Sequence, residues 1–132
     1  MKYYFSTKIK GLSFEETEKI LAEELAKEAF GILNEIDVAA TFKKKLDVDF
    51  RRYKIYGACN PHFAYDAIQT EDKIGVFLPC SFVLQEWENG ELELSVMNPL
   101  LAMQSVPNPN MESLAKEVTE KLELVIRRIG KY

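Results

Sequence analysis

The sequence predicts an α+β protein built on one antiparallel sheet, with two long helices on one face of it. Three features predict this class. A first β-prone segment is followed at once by a long amphipathic helix, several β-prone segments come next, and a second long amphipathic helix ends the chain. Two of the later segments are joined by Asn89-Gly90, a dipeptide typical of hairpin turns, which favours an antiparallel meander.

The first strand and the first long helix are predicted at the start of the chain. Residues 2–9 are rich in aromatic residues and alternate weakly, as strands do. Ser13 and Glu16 form a capping box, in which each side chain accepts a hydrogen bond from the other residue's backbone amide. Apolar residues then share one helical face as far as Phe30, and Gly31 is predicted to end the helix in the left-handed conformation.

Shorter units fill the middle of the chain. Strands are predicted at 32–36 and 53–59, and helices at 38–46 and from 61 to about 68. Asp37 caps the first of these helices, and Asn60 caps the second. Pro61 occupies the first helical position, where its missing N–H costs no hydrogen bond, and Asn98-Pro99 repeats that start for a short helical turn.

The second half contains an interrupted β-prone run and the last helix. The run covers 74–87, and because proline cannot donate to a strand ladder, Pro79 implies a bulge, an edge position or a break into two strands. A strand with one wet face is predicted over 92–96. Residues 107–110 are interpreted as a rigid connector before a terminal helix whose apolar stripe ends at Ile129.

The composition of the chain limits the classes of protein to which it can belong. The chain has 132 residues, 47% of them hydrophobic and 29% charged, which is typical of one globular domain, and no linker or repeat divides it. A net charge of −4 argues against a basic nucleic-acid binder, and no apolar run is long enough to span a bilayer. Two cysteines are too few for a disulfide framework, so we expect a cytoplasmic protein with free thiols. Met97 and Met103 are interpreted as core filler.

The most informative segments are Gly57 to Pro61 and Leu78 to Cys80. Cys59 lies where a strand passes into a helix N-terminus, whose partial positive charge favours a thiolate. Cys80 follows a proline that distorts its strand. These two cysteines are the candidate catalytic residues, although a buried free cysteine also serves as a small core hydrophobe.

Other chemistry stays open or is excluded. Cys59, His62 and Cys80 offer three zinc ligands, but His62 is the only histidine, and no metal site is predicted. Asp37 is either a helix cap or a general base. The basic stretch 43–52 is either a solvated loop or an anion site. A single histidine gives no Ser-His-Asp arrangement, and no Gly-rich phosphate loop is present.

Taken together, these motifs resemble a known family. The residues that carry the resemblance are Glu35-Ile36-Asp37-Val38, the segment Tyr53 to Pro61, Leu78-Pro79-Cys80 and Asn98-Pro99. They are similar to motifs of the domain-of-unknown-function family 302, and the resemblance extends from Lys2 to about Ile129. It implies a fold of the TATA-box-binding-protein type, β-α-β4-α, with one curved antiparallel sheet and two long helices. It implies no established activity. The positions that match the family motifs are Asp37, Cys59, Asn60, Pro61 and Cys80.

Two functions are expected from the sequence. The first is a small-ligand-binding or thiol-redox site built around Cys59, Asn60 and Cys80, with Asp37 and Pro61 among the ligand-binding residues. The alternative is a non-catalytic homodimeric binding or assembly module, because no complete catalytic set is present and open sheet edges accept a second chain. No cofactor, nucleic-acid partner or membrane partner is predicted.

Overall fold

The computed structural model describes residues 2–132. Within them the chain forms one sheet of five antiparallel strands, five α-helices and one short 3-10 helix. In chain order these elements are β1 (Tyr4–Ile9), α1 (Phe14–Lys27), β2 (Gly31–Asp37), α2 (Val38–Leu46), β3 (Tyr53–Cys59), α3 (Pro61–Thr70), the 3-10 helix (Ile74–Phe77), β4 (Cys80–Glu86), β5 (Leu92–Met97), α4 (Pro99–Met103) and α5 (Pro109–Ile129). The α+β class predicted from the sequence is confirmed.

The strands lie in the order β1-β5-β4-β3-β2, so the first two strands along the chain form the two edges of the sheet. The register is continuous across the middle, where Phe5 faces Val96 and Val96 faces Phe82. At the other edge, β2 shifts its register between Ile32 and Asn34, which is a bulge of the kind that discourages pairing with another chain.

The main hydrophobic core lies between one face of the sheet and the two long helices. From the sheet, Phe82, Leu84 and Leu94 are fully buried, and Leu21 of α1 and Leu122 of α5 are fully buried against them. Each such side chain contributes about 1.5–3 kcal/mol when it leaves water, so this layer fixes how the helices lie on the sheet.

The opposite face of the sheet carries no helix of the described chain along its centre. We call this the outer face and define it by the row Ile36, Ile55, Val83, Ser95 and Ser6, which the register places side by side across all five strands. These side chains alternate with the buried ones, as the pleat requires, and Ile36 is 48% exposed.

Most helix starts form as the sequence predicts. The Ser13 hydroxyl accepts a hydrogen bond from the Glu16 amide at 3.0 Å, and a Glu16 carboxylate oxygen accepts one from the Ser13 amide at 2.9 Å. Asp37 accepts from the Ala40 amide at 2.9 Å and caps α2. These bonds satisfy amides that have no partner inside their own helix, and they therefore fix where α1 and α2 begin.

Three local predictions are corrected. Gly31 does not end α1: Ala29 takes the left-handed conformation there, with φ of 63°, and Gly31 already begins β2. The segment 74–87 is not two strands, because the part before Pro79 is the 3-10 helix and only the part after it is β4. The expected connector at 107–110 is instead the start of α5, capped by Asn108. No helix in residues 2–132 is long and apolar enough to cross a bilayer.

Candidate functional site

A second, smaller hydrophobic cluster covers one end of the sheet. Its buried members are Ala67 of α3, Ile74 of the 3-10 helix and Met111 of α5, and α4 adds Met103. These helices pack at the end of the sheet where β3 and β5 finish and β4 begins. We call α3, the 3-10 helix and α4 the cap, because they close that end of the sheet.

A cavity lies between the cap and the main core. Its volume is about 60 Å³. The sheet end supplies Ala58, Cys59, Cys80 and Met97, the cap supplies Phe63 and Phe77 among others, and the first turns of α5 supply Met111 and Ala115. Among the described residues, no charged side chain lines this cavity, and Asn60 is its only amide.

Both cysteines line this cavity, and the strand register places them at the same end of the sheet. Cys80 opens β4 opposite Ala58, the residue that precedes Cys59 at the end of β3. Cys80 is only 7% exposed, whereas Cys59 is partly buried. The sequence predicted a site built around Cys59, Asn60 and Cys80, and in the structure both cysteines are free thiols that line one cavity.

The surroundings of both thiols favour the protonated form. Burial raises the pKa of Cys59 above its ordinary value. Burial, together with the nearby Cys59, raises the pKa of Cys80 to about 12. The pKa of Cys59 shifts in the opposite direction to the shift expected from a helix N-terminus. The reason is that the apolar cavity disfavours a thiolate and that Cys59 lies before Asn60, the N-cap residue of α3.

Asn60 holds α3 in place. Its Oδ1 accepts hydrogen bonds from the amides of His62 and Phe63, and its Nδ2 donates to the Glu28 carbonyl at 3.3 Å. Pro61 follows at the first helical position and is exposed. Asn60 therefore positions the wall of the cavity, and its polar atoms are engaged in the fold.

Asp37 is not brought to the cysteines. It pairs with Lys54 in the ladder, whereas Gly31 at the other end of β2 pairs with Cys59. The five residue-to-residue steps from Lys54 to Cys59 correspond to about 16 Å of strand. Asp37 is exposed and caps α2, so the expectation that it lies near the site does not hold.

Two other candidate sites receive no support from the geometry. Within residues 2–132 no group of three or more His, Cys, Asp or Glu residues is arranged to hold a metal, and His62 is exposed. Two of the five basic residues of the stretch 43–52 form ion pairs within the fold: Lys43 contacts Asp47 and Asp49, and Arg52 contacts Glu15 at 2.9 Å.

Sequence reasoning missed the methionines of the cavity. Met97, Met103 and Met111 all line it, yet in the sequence they lie in three different elements with no common motif. The available signal was their position: Met97 and Met103 flank the Asn98-Pro99 helix start, and Met111 follows Asn108-Pro109. Only the topology shows that these starts meet at one end of the sheet.

Comparison with known proteins agrees with the fold. The sequence model of the family described as "Domain of unknown function DUF302" matches residues 5–129. A solved structure, the crystal structure of an uncharacterized conserved protein DUF302 from Bacillus stearothermophilus, is similar with a TM-score of 0.89 and 25% sequence identity. The similarity covers 98% of this chain and 99% of that one. No curated protein matches the sequence.

Proposed function

The chain belongs to the DUF302 family, and we propose that it binds a small ligand, neutral in its bound state, in the cavity between the cap and the main core. The observation that carries this proposal is the cavity itself, whose lining includes both cysteines and, within residues 2–132, no charged side chain. Interiors are normally close-packed, so a hollow of this size that joins two clusters is a candidate binding site.

The chemistry of the lining restricts the ligand. A net charge left in an apolar interior costs several kcal/mol unless a partner compensates it, and none of the described residues that line the cavity is charged. The amide of Asn60 is already hydrogen-bonded to α3 and to the Glu28 carbonyl. The bound ligand must therefore be apolar, or must become neutral through a covalent or coordinate bond to the wall.

The size of the cavity restricts the ligand further. A dry cavity of about 150 Å³ accepts benzene, so one of about 60 Å³ suits a smaller occupant, such as a single xenon atom. Methionine side chains adjust more readily than branched ones, and three of them are present. Binding is favoured over dithiol redox chemistry, because the raised pKa of Cys59 leaves little thiolate to attack a disulfide.

Xenon tests whether the cavity takes up a small apolar occupant. We expect saturable xenon shifts in NMR spectra at methyl groups of the cavity, such as those of Ala115 and Val118. Replacing Ala64, a partly buried wall residue, by Leu fills the space and should abolish the shifts. The matched variant Ala22→Leu lies on an exposed position of α1 and should leave them unchanged. Equal shifts in both variants would contradict the proposal.

A second candidate function, self-association, is favoured by the outer face. The central row across the sheet carries no charge, and Ile36, Ile55 and Val83 form its continuous apolar half. An isologous contact would place this half against the same half of a second copy, which no charge on the row opposes. Ile36 itself is 48% exposed, so part of this apolar half is open to such a partner.

Analytical ultracentrifugation tests this second candidate. We expect a dimer whose dissociation constant rises at least about tenfold in Val83→Lys, since one buried unpaired charge on each copy costs more than about 1.4 kcal/mol. Val76→Lys, at a position 82% exposed on the 3-10 helix, is the control and should leave the dimer intact. A chain that stays monomeric at high concentration would exclude this assembly.

A further inference from the structure

Nearly all the sulfur of this chain lies around one cavity. The sequence has two cysteines and four methionines. Five of these six side chains line the cavity: Cys59, Cys80, Met97, Met103 and Met111. The sixth is Met1, which lies outside the described residues. Filling a core needs no particular heteroatom, so convergence of sulfur from β3, β4, β5, α4 and α5 calls for a chemical explanation.

We infer that the cavity binds a soft monovalent cation of the Cu(I) or Ag(I) class through the Cys59 thiolate and thioethers of the surrounding methionines. This inference rests on the proposed function and names its ligand. Thiolate and thioether sulfur select Cu(I) over harder cations. All five of these side chains line one cavity of about 60 Å³, and flexible methionines can adjust to an ion there.

Charge balance identifies both the ion and the ligand set. One monovalent cation with one thiolate and neutral thioethers has no net charge, which matches a cavity that no charged side chain lines within the described residues. A divalent ion with the same ligands would leave a buried positive charge. Coordination by both thiolates of a monovalent ion would leave a buried negative charge.

Cys59 is the thiol that supplies the negative charge. It is partly buried and can pass its proton to water, whereas Cys80 is only 7% exposed. Binding breaks the S–H bond of Cys59 and forms one metal–thiolate bond together with bonds from thioether sulfur; the proton and the ligands that the ion held before leave to solvent. The oxidation states of metal and protein do not change. Cys80 remains a neutral thiol beside the site.

Titration with Ag(I), and with Cu(I) under anaerobic conditions against a chromophoric chelator, tests the inference. We expect one ion per chain and the release of one proton at neutral pH in weakly buffered solution. Zn(II) should compete at least about 100-fold more weakly, because one thiolate does not balance its two positive charges and because thioether sulfur is a poor ligand for it. Release of two protons, or equal competition by Zn(II), would overturn the assignment.

Two variants separate failure of this inference from failure of the proposed function. Replacing Met97 and Met103 by Leu keeps an apolar wall of similar size, so xenon binding should persist while Ag(I) affinity falls at least about tenfold. Cys59→Ser should release no proton and lose high-affinity binding, whereas Ser81→Ala, next to Cys80 but exposed, should change neither. If xenon binds and the sulfur variants retain Ag(I), the ion inference fails alone; if neither probe binds, both proposals fail.

Discussion

At the scale of single residues, the close approach of three chain segments depends on a missing side chain. Gly57 lies on the outer side of β3, and a Cβ built there would meet Asn34 Oδ1 and the Pro79 ring. The bulge of β2 brings Asn34 to this point, and Pro79 immediately precedes Cys80. Glycine at 57 therefore allows β2 and the start of β4 to lie where they place the cysteines at one cavity.

Gly57→Ala should lower the free energy of unfolding by about 1–3 kcal/mol, because Asn34 and Pro79 must shift to admit the methyl group. Gly31→Ala, in the neighbouring strand β2, is the matched control, since a Cβ there meets nothing within 4 Å. Urea unfolding of both variants measures the difference. If the two alanine variants are equally stable, the approach of Asn34 and Pro79 does not exclude a side chain at position 57.

At the scale of elements, the sequence predicted the helix starts at Asn60 and Asn98, whereas the start at Asn108 was interpreted as a connector, and none of the long-range bonds of these residues was predicted. Asn60, Asn98 and Asn108 each precede a proline, and each accepts bonds from the first turn of its own helix. The same three side chains also donate from Nδ2 to distant carbonyls: those of Glu28, Lys2 and Thr70. Capping follows from local chemistry, whereas these donations depend on which segments the topology brings together.

The two long helices are joined across their interface by one carboxylate. Glu28, the residue that ends α1, accepts hydrogen bonds from Arg128 at 2.8 Å and from Lys121 at 3.4 Å, both on α5. These bonds, that from Arg128 above all, lower the pKa of Glu28 in the folded protein, although partial burial opposes the shift. The contribution to stability is therefore present above the unfolded pKa of about 4.5 and is lost as the pH falls through the folded pKa.

Glu28→Gln should consequently be less stable than the wild type at pH 7, and the difference should shrink as the pH falls below about 4.5. Glu23→Gln, at an exposed position on the same helix, controls for the loss of a charge. Thermal unfolding between pH 3 and pH 7 measures both variants (the pH range is about the span over which carboxyl groups titrate). A difference that does not change with pH would contradict the pairing.

At the scale of the whole molecule, the sequence predicted the sheet and long helices better than it predicted the site. Alternation and amphipathic periodicity are local signals, and they identified β3, α2 and the two long helices. The cavity depends instead on register: pairing Ala58 with Cys80 brings both cysteines to the same end of the sheet, and pairing Gly31 with Cys59 places Asp37 at the other end of β2. Single-sequence patterns do not specify such register.

The division into a main core and a cap predicts how the molecule opens. The cap cluster has few buried members, and Asn60 and Asn108 tie α3 to α1 and α5. Such small clusters open at lower free energy than the main core. Cys80 lies between the two clusters and is 7% exposed, so its alkylation requires this opening, whereas Cys59 is partly buried and should react first.

Asn60→Ala should therefore increase the alkylation rate of Cys80 about five- to thirtyfold. The substitution removes the N-cap of α3 and the bond to the Glu28 carbonyl, which together stabilise the closed state by about 1–2 kcal/mol. Glu28→Gln weakens the contact between α1 and α5 but retains that carbonyl, so it should change the rate much less. Mass spectrometry after timed iodoacetamide treatment distinguishes the two thiols. If Cys80 reacts in the wild type as fast as a free cysteine, a route to the cavity already exists and no opening is needed. If both variants accelerate the reaction equally, access requires global unfolding, and the cap does not open as a separate unit.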